Sequence, residues 1–102
     1  MTEEKGIYET QTQGEKLTQG TLEPFASPNY HPPKESDVRL LLRIAGLTGA
    51  EAGKLVGVDA RSVRRWCAPP DTSNHRPIPY SAWRLLLIEA GLVPGKQNIQ
   101  EP

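Results

Sequence analysis

What this chain lacks narrows the field first. Its 102 residues hold one cysteine, Cys67, so no internal disulfide can form and no companion thiols exist for a metal site. The two histidines, His31 and His75, stand far apart and alone, and no metal and no cofactor is expected. No apolar run approaches the roughly 20 residues needed to span a bilayer. The opening MTEEKGIYET is acidic and polar, where a signal peptide would be basic and then apolar, so a cytoplasmic protein without a membrane partner is expected. No Ser/His/Asp, Cys/His or paired-carboxylate arrangement has a recognisable spacing, and the glycines of a phosphate loop are missing. An enzyme with a small-molecule substrate is therefore not expected. An excess of charge of one sign is lacking too, with 12 bases against 12 acids.

That neutrality hides a division. Residues 1–37 carry seven acids and three bases, a net of −4, whereas residues 38–92 carry eight bases and four acids, a net of +4. The isoelectric point of the whole chain thus says little about its basic part. At 11.3 kDa there is room for one small domain, and a core of that size buries only about 60% of its unfolded surface.

The first 23 residues are mostly Gln, Thr, Glu and Gly with single hydrophobics and no period, a composition expected to stay disordered. PFASPNYHPP, residues 24–33, has four prolines that resist helix and sheet and reads as an extended arm, either a plain linker or one that docks on the domain through Phe25 or Tyr30. These expectations divide the chain into a disordered and extended arm over 1–34, a domain over 35–92 and a flexible tail over 93–102.

From Ser36 the pattern turns helical. Ser36 or Asp37 can cap a first helix in which Val38, Leu41, Leu42 and Ala45 form one apolar stripe, with Gly46 as its end. Thr48 and Glu51 have capping-box spacing, followed by Ala52, Leu55 and Val56 on one face and Gly57 as a stop. Asp59 caps a third helix through Cys67, with Val63, Trp66 and Cys67 sharing a face, and APP forbids continuation. Two short helices joined by GVD make a helix-turn-helix. Pro79 and Gly91 frame a fourth, YSAWRLLLIEA. The expected fold is all-α, with about four helices.

GVDARSVRRW, residues 57–66, sets three arginines within five positions. With Val63 inward at 0°, steps of 100° put Arg61 at about 160°, Arg65 at about 200° and Arg64 at about 100°. Arg61 and Arg65 repel as an i, i+4 pair, and Arg61 lies at a helix amino end that disfavours a cation. A DNA duplex would convert both penalties into attraction, since arginine donates two hydrogen bonds to a guanine edge or neutralises phosphate. A solvated face of arginines is the plainer alternative. The loop APPDTSNHRPIP adds Ser73, Asn74 and Arg76 as candidate phosphate contacts, with His75 read as solvated.

Residues 48–66, TGAEAGKLVGVDARSVRRW, resemble the helix-turn-helix of the Cro and lambda-repressor superfamily. Gly57 stands at the turn glycine, Val58 and Val63 at the buried aliphatics and Trp66 at the last large core position. The resemblance implies that residues at the start of the second helix read bases, here Ala60 and Arg61 with Arg64 and Arg65 a turn later. Thr48 and Ser62 are further candidate phosphate contacts, which Arg64 and Arg65 can join. Two positions depart from the pattern: Gly49 replaces a glutamine that often touches phosphate, and Gly53 replaces a common alanine. More narrowly, ASPNYHPP, LLLRIAGLTGAEAGKLVGV and RPIPYSAWRLLL are similar in order and spacing to small helix-turn-helix regulators encoded beside phage anti-CRISPR genes. That likeness implies a dimeric autorepressor acting on an inverted repeat.

A dimer is also expected on physical grounds, because the fourth helix is apolar almost all round, broken only by Arg84 and Glu89, and a thin domain cannot cover every side. Leu85, Leu87 and Ile88, with Leu40 and Ile44 as a second stripe on the first helix, are the expected interface. A compact monomer with the arm folded over the stripe is the alternative. The competing function is a protein-binding adapter or antitoxin-like module whose arginines meet an acidic partner.

Overall fold

The structure is a computed structural model that describes residues 16–96. The expected disorder of residues 1–15 and the end of the expected tail, residues 97–102, lie outside the described residues. Within them are four helices and no strand: α1 (Glu35–Ala45), α2 (Gly49–Val56), α3 (Ala60–Cys67) and α4 (Tyr80–Glu89). The all-α expectation matches, and each helix falls where periodicity places it, with α2 and α3 capped as expected by Thr48 and Asp59.

One core joins the helices. Val38, Leu41 and Leu42 of α1, Ala52 of α2, Val63 and Trp66 of α3, and Ala82, Trp83, Leu86 and Leu87 of α4 are buried together with Ile78. Burying the Val, Leu and Ile side chains among them contributes about 1.5–3 kcal/mol each. Leu55, expected inward beside Ala52, is instead 43% exposed, because Ala52 occupies the centre of the buried face and Leu55 falls at its edge.

The cap of α1 differs from expectation. Lys34 is the N-cap residue, and Asp37 sits three residues in, accepting from the Lys34 backbone N–H at 2.8 Å with Oδ2. Its other oxygen accepts from the Thr18 backbone N–H at 2.8 Å and the Thr18 hydroxyl at 3.1 Å. Asp37 is therefore a buried knot between α1 and the chain before it.

Residues 16–23, whose composition points to disorder, lie on the domain. Thr21 is fully buried, and Leu17 and Leu22 pack against the core. The Trp83 indole donates to the Thr21 carbonyl at 2.8 Å, and Arg84 Nη1 donates to the Leu22 carbonyl at 3.2 Å. Arg84, expected as a polar break in the ring of α4, is buried under this segment, and its Nε has no partner among the described residues. The arm then docks as its aromatics suggest: the Phe25, Tyr30 and Tyr80 rings lie with centroids 5.1–5.5 Å apart. At the other end Leu92 and Val93 pack on the core, so the start of the expected tail is also held.

These contacts correct part of the expected interface. Leu40 is 3% exposed and Leu87 is 0% exposed, both spent on the chain's own packing. Leu85 stays 48% exposed, while Ile44 and Ile88 are half-buried. The apolar ring of α4 is divided between this chain's core, the arm and one open edge.

Candidate nucleic-acid interface

The helix-turn-helix is α2, the turn Gly57-Val58-Asp59, and α3. Thr48 caps α2: its hydroxyl accepts from the Glu51 N–H at 3.1 Å, while Glu51 Oε1 accepts from the Thr48 N–H at 2.9 Å. The hydroxyl proton of this exposed residue is left to donate outward. Gly57 takes φ 86°, a left-handed conformation that glycine adopts without steric cost, and Val58 donates to the Gly53 carbonyl at 2.9 Å. A Cβ on Gly53 would meet the Val58 carbonyl oxygen at 2.6 Å, so the alanine common in the resembling family does not fit this turn. Gly49 has room, its nearest neighbour being Val63 Cγ1 at 3.8 Å.

Asp59 caps α3, its carboxylate accepting from the Ser62 N–H at 2.9 Å. Hydrogen bonds from the Ser62 backbone and side chain, then the nearby charges of Arg61 and Arg64, hold this fully exposed carboxyl below its ordinary range. The half-buried Ser62 is thereby engaged with the cap, which competes with the phosphate contact expected of it.

Val63 and Trp66 anchor the inner face of α3, leaving Arg61 and Arg64 exposed and Ala60 half-buried. Arg65, expected to point straight out, is half-buried, because the following loop folds back on it: the Arg76 N–H donates to the Arg65 carbonyl at 3.1 Å. The loop is tied further by His75 Nδ1 donating to the Ala68 carbonyl at 2.9 Å, which fixes the ring proton on that nitrogen. Arg76 Nη1 donates to the carbonyls of Ser73 at 2.9 Å and His75 at 2.7 Å. His75, read from sequence as solvated, is thus a loop tie, and Arg76 shapes the loop as well as carrying its charge outward. Ser73 is exposed on the same loop.

Arg61, Arg64, Arg65, Ala68 and Asn74 together line a cleft of about 310 Å³. Three arginines of α3 thus share one concave surface with a residue of the following loop. Sequence reasoning passed over Arg39. From α1 its Nη1 donates to the Cys67 carbonyl at 2.7 Å, and Nη2 lies 3.9 Å from Glu35 Oε2. A cation on the last carbonyls of α3 matches the dipole there and sets the helix against α1. Only its place off the apolar stripe marked it in the sequence. Cys67 itself is half-buried, and burial pushes its thiol pKa up, with Arg39 opposing. Among the described residues no His, Cys, Asp and Glu gather as a metal site, and no helix is long and apolar enough to cross a membrane.

No family model matches the chain. Two Escherichia coli proteins, both named transcriptional repressor protein KorC, are similar to it, at 48% and 40% identity over 63 residues. Each match takes in 59% of this chain and 68% of the relative. These relatives are regulators and not enzymes, in line with the missing catalytic arrangements. Carrying a capped helix-turn-helix and nearly half-identical to a repressor over two thirds of that repressor's length, the chain belongs to the KorC family of transcriptional repressors.

Proposed function

We propose that this protein binds double-stranded DNA sequence-specifically as a homodimer, setting α3 into the major groove of each half of an inverted repeat, and that it represses its own operon on a phage or other mobile element. The observation that carries this reading is the convergence of Arg61, Arg64 and Arg65 on one open cleft, opposite the buried Val63 and Trp66. The Asp59 carboxylate attracts Arg61 and Arg64, and a polyanion rewards all three cations together.

Within this reading Ala60 and Arg61, at the start of α3, meet base edges, and Arg64 and Arg65 lie a turn further along, within reach of bases or phosphates. Thr48 donates to phosphate at the amino end of α2, with Ser73, Arg76 and, through what its hydroxyl can spare from the cap, Ser62 as further backbone contacts. The half-buried Ile44 and Ile88 and the exposed Leu85 remain for a partner copy. The autorepressor reading draws on the likeness of order and spacing to the regulators encoded beside anti-CRISPR genes. The test is titration with random duplex at low salt, followed by footprinting upstream of the protein's own gene. Weak, steeply salt-dependent binding and a protected palindrome are expected. Absence of any duplex binding at low salt refutes the reading and leaves an acidic protein partner as the arginines' counterpart.

A further inference from the structure

The five residues lining the cleft divide sharply by hydrogen-bonding chemistry. Arginine side chains only donate, and Ala68 offers nothing, so among these lining residues Asn74 is the one whose side chain can accept. Among the described residues no hydrogen bond occupies that amide. The loop that carries it is tied to the end of α3 by the Arg76 N–H on the Arg65 carbonyl and by His75 on the Ala68 carbonyl, and it is braced from within by Arg76 Nη1. Asn74 is thus presented by fixed backbone next to the arginines, although it lies in a loop.

The DNA edges that meet such a cleft present complementary chemistry. Guanine shows two acceptors in the major groove, which arginine can satisfy. Adenine shows an acceptor beside a donor, and no arginine can receive the N6 proton. A primary amide matches that pair with two hydrogen bonds. At a phosphate, by contrast, the amide would add a neutral donor where three guanidinium groups already compete, and its oxygen would face an anion.

Resting on the DNA-binding reading above, we infer that Asn74 is a specificity-determining residue that reads adenine in the major groove, beside the guanine or phosphate contacts of the arginines. Composition alone groups Asn74 with Ser73 and Arg76 as a phosphate contact. The shared cleft and the donor-only character of its neighbours separate it from them. Each half-site then contains an A·T pair that the recognition helix does not specify.

The full chain tests this by enrichment of bound sequences from a randomised duplex library, using the wild type, Asn74→Ala, Asn74→Asp and, as reference, Arg61→Ala. Asn74 is exposed, and unchanged thermal transitions are expected for its variants. The wild type should specify an A·T pair that Asn74→Ala loses, at a cost of about 5- to 140-fold on the preferred sequence. Affinity of Asn74→Ala for random duplex and the salt slope should not move. Asn74→Asp, an acceptor without donors, should shift the preference at that pair toward cytosine, whose N4 donates. Identical sequence preferences for wild type and Asn74→Ala overturn the inference. A uniform weakening of all sequences with a shallower salt slope also overturns it, by making Asn74 a phosphate contact, while DNA binding itself stands. A wild type that enriches no sequence refutes the DNA-binding reading and this inference together.

Discussion

The indole nitrogen of Trp83 donates to the backbone carbonyl of Thr21 at 2.8 Å, joining two residues 62 apart in sequence, both fully buried. The bond fastens the segment before the domain onto α4. Trp83→Phe keeps a large ring but removes the donor, leaving the Thr21 carbonyl buried without a partner, and should cost about 1–3 kcal/mol in urea unfolding. A chain that begins at Pro24 loses this bond, the Thr18 bonds to Asp37 and the packing of Leu17 and Leu22, and its thermal midpoint should fall further.

Two glycines of α2 should respond in opposite ways. At Gly53 a Cβ meets backbone oxygen at 2.6 Å, so Gly53→Ala must open the turn and should destabilise by about 1–3 kcal/mol, the range for overpacking. At Gly49 the nearest atom is 3.8 Å away, and Gly49→Ala should be neutral or stabilising by up to about 1 kcal/mol. Denaturant midpoints of the two variants against the wild type decide this.

The helices were legible because local rules agree: Thr48 with Glu51, Asp59 before α3, and the Val38, Leu41, Leu42 stripe each act within a few residues. What was not legible depends on contacts far apart in sequence. No window of residues 16–23 shows a period, since Thr21 and Leu22 are held through backbone carbonyls by Trp83 and Arg84, which composition does not register. Helical angle alone likewise does not separate the buried Leu40 and Leu87 from the exposed Leu85. At the site, the outward set of Arg61 and Arg64 follows from angle, but the half-burial of Arg65 and the company of Asn74 follow from how the loop closes.

The open edge of α4 separates folding from assembly. Leu85→Glu places a charge on an exposed position and should leave the thermal transition within about 0.5 kcal/mol of wild type while yielding monomers at micromolar concentration in sedimentation. Leu87→Glu should instead unfold the chain, because its site is fully buried. If Leu85→Glu sediments as the wild type does, the proposed dimer does not use this edge. A symmetric dimer requires half-site centres one helical turn, about 10 base pairs, or a multiple of that apart.

Asp59 gives α3 an acid limit. Its folded pKa lies below its ordinary value, chiefly through the hydrogen bonds from Ser62. The stability it contributes is therefore fully present above the ordinary aspartate pKa, about 3.9, and is lost as pH falls through the lower folded value. Asp59→Asn should flatten the acid side of the stability profile. It also removes a negative charge beside Arg61 and Arg64, so binding to random duplex at low salt should tighten, an effect that added salt erases.

The arginines should separate by role. Arg61 leaves the first turn of α3, the part of a recognition helix that reaches base edges, so Arg61→Ala should cost about 1–3 kcal/mol on the operator, relax specificity at one position per half-site and matter little on random duplex. Arg64 lies on the flank and Arg76 on the loop, nearer the path proposed for the DNA backbone. Replacing either should weaken all sequences alike and reduce the salt slope by about one for each phosphate no longer neutralised. Arg76→Ala carries a second signature, because Nη1 also braces the carbonyls of Ser73 and His75. Its removal should loosen the loop and blur the base preference assigned to Asn74, which Arg64→Ala leaves intact. Affinities of the alanine variants for operator and random duplex at several salt concentrations distinguish these effects. If Arg61→Ala changes both duplexes equally it is a phosphate contact, and if none of the variants changes either duplex the arginines are a solvated face.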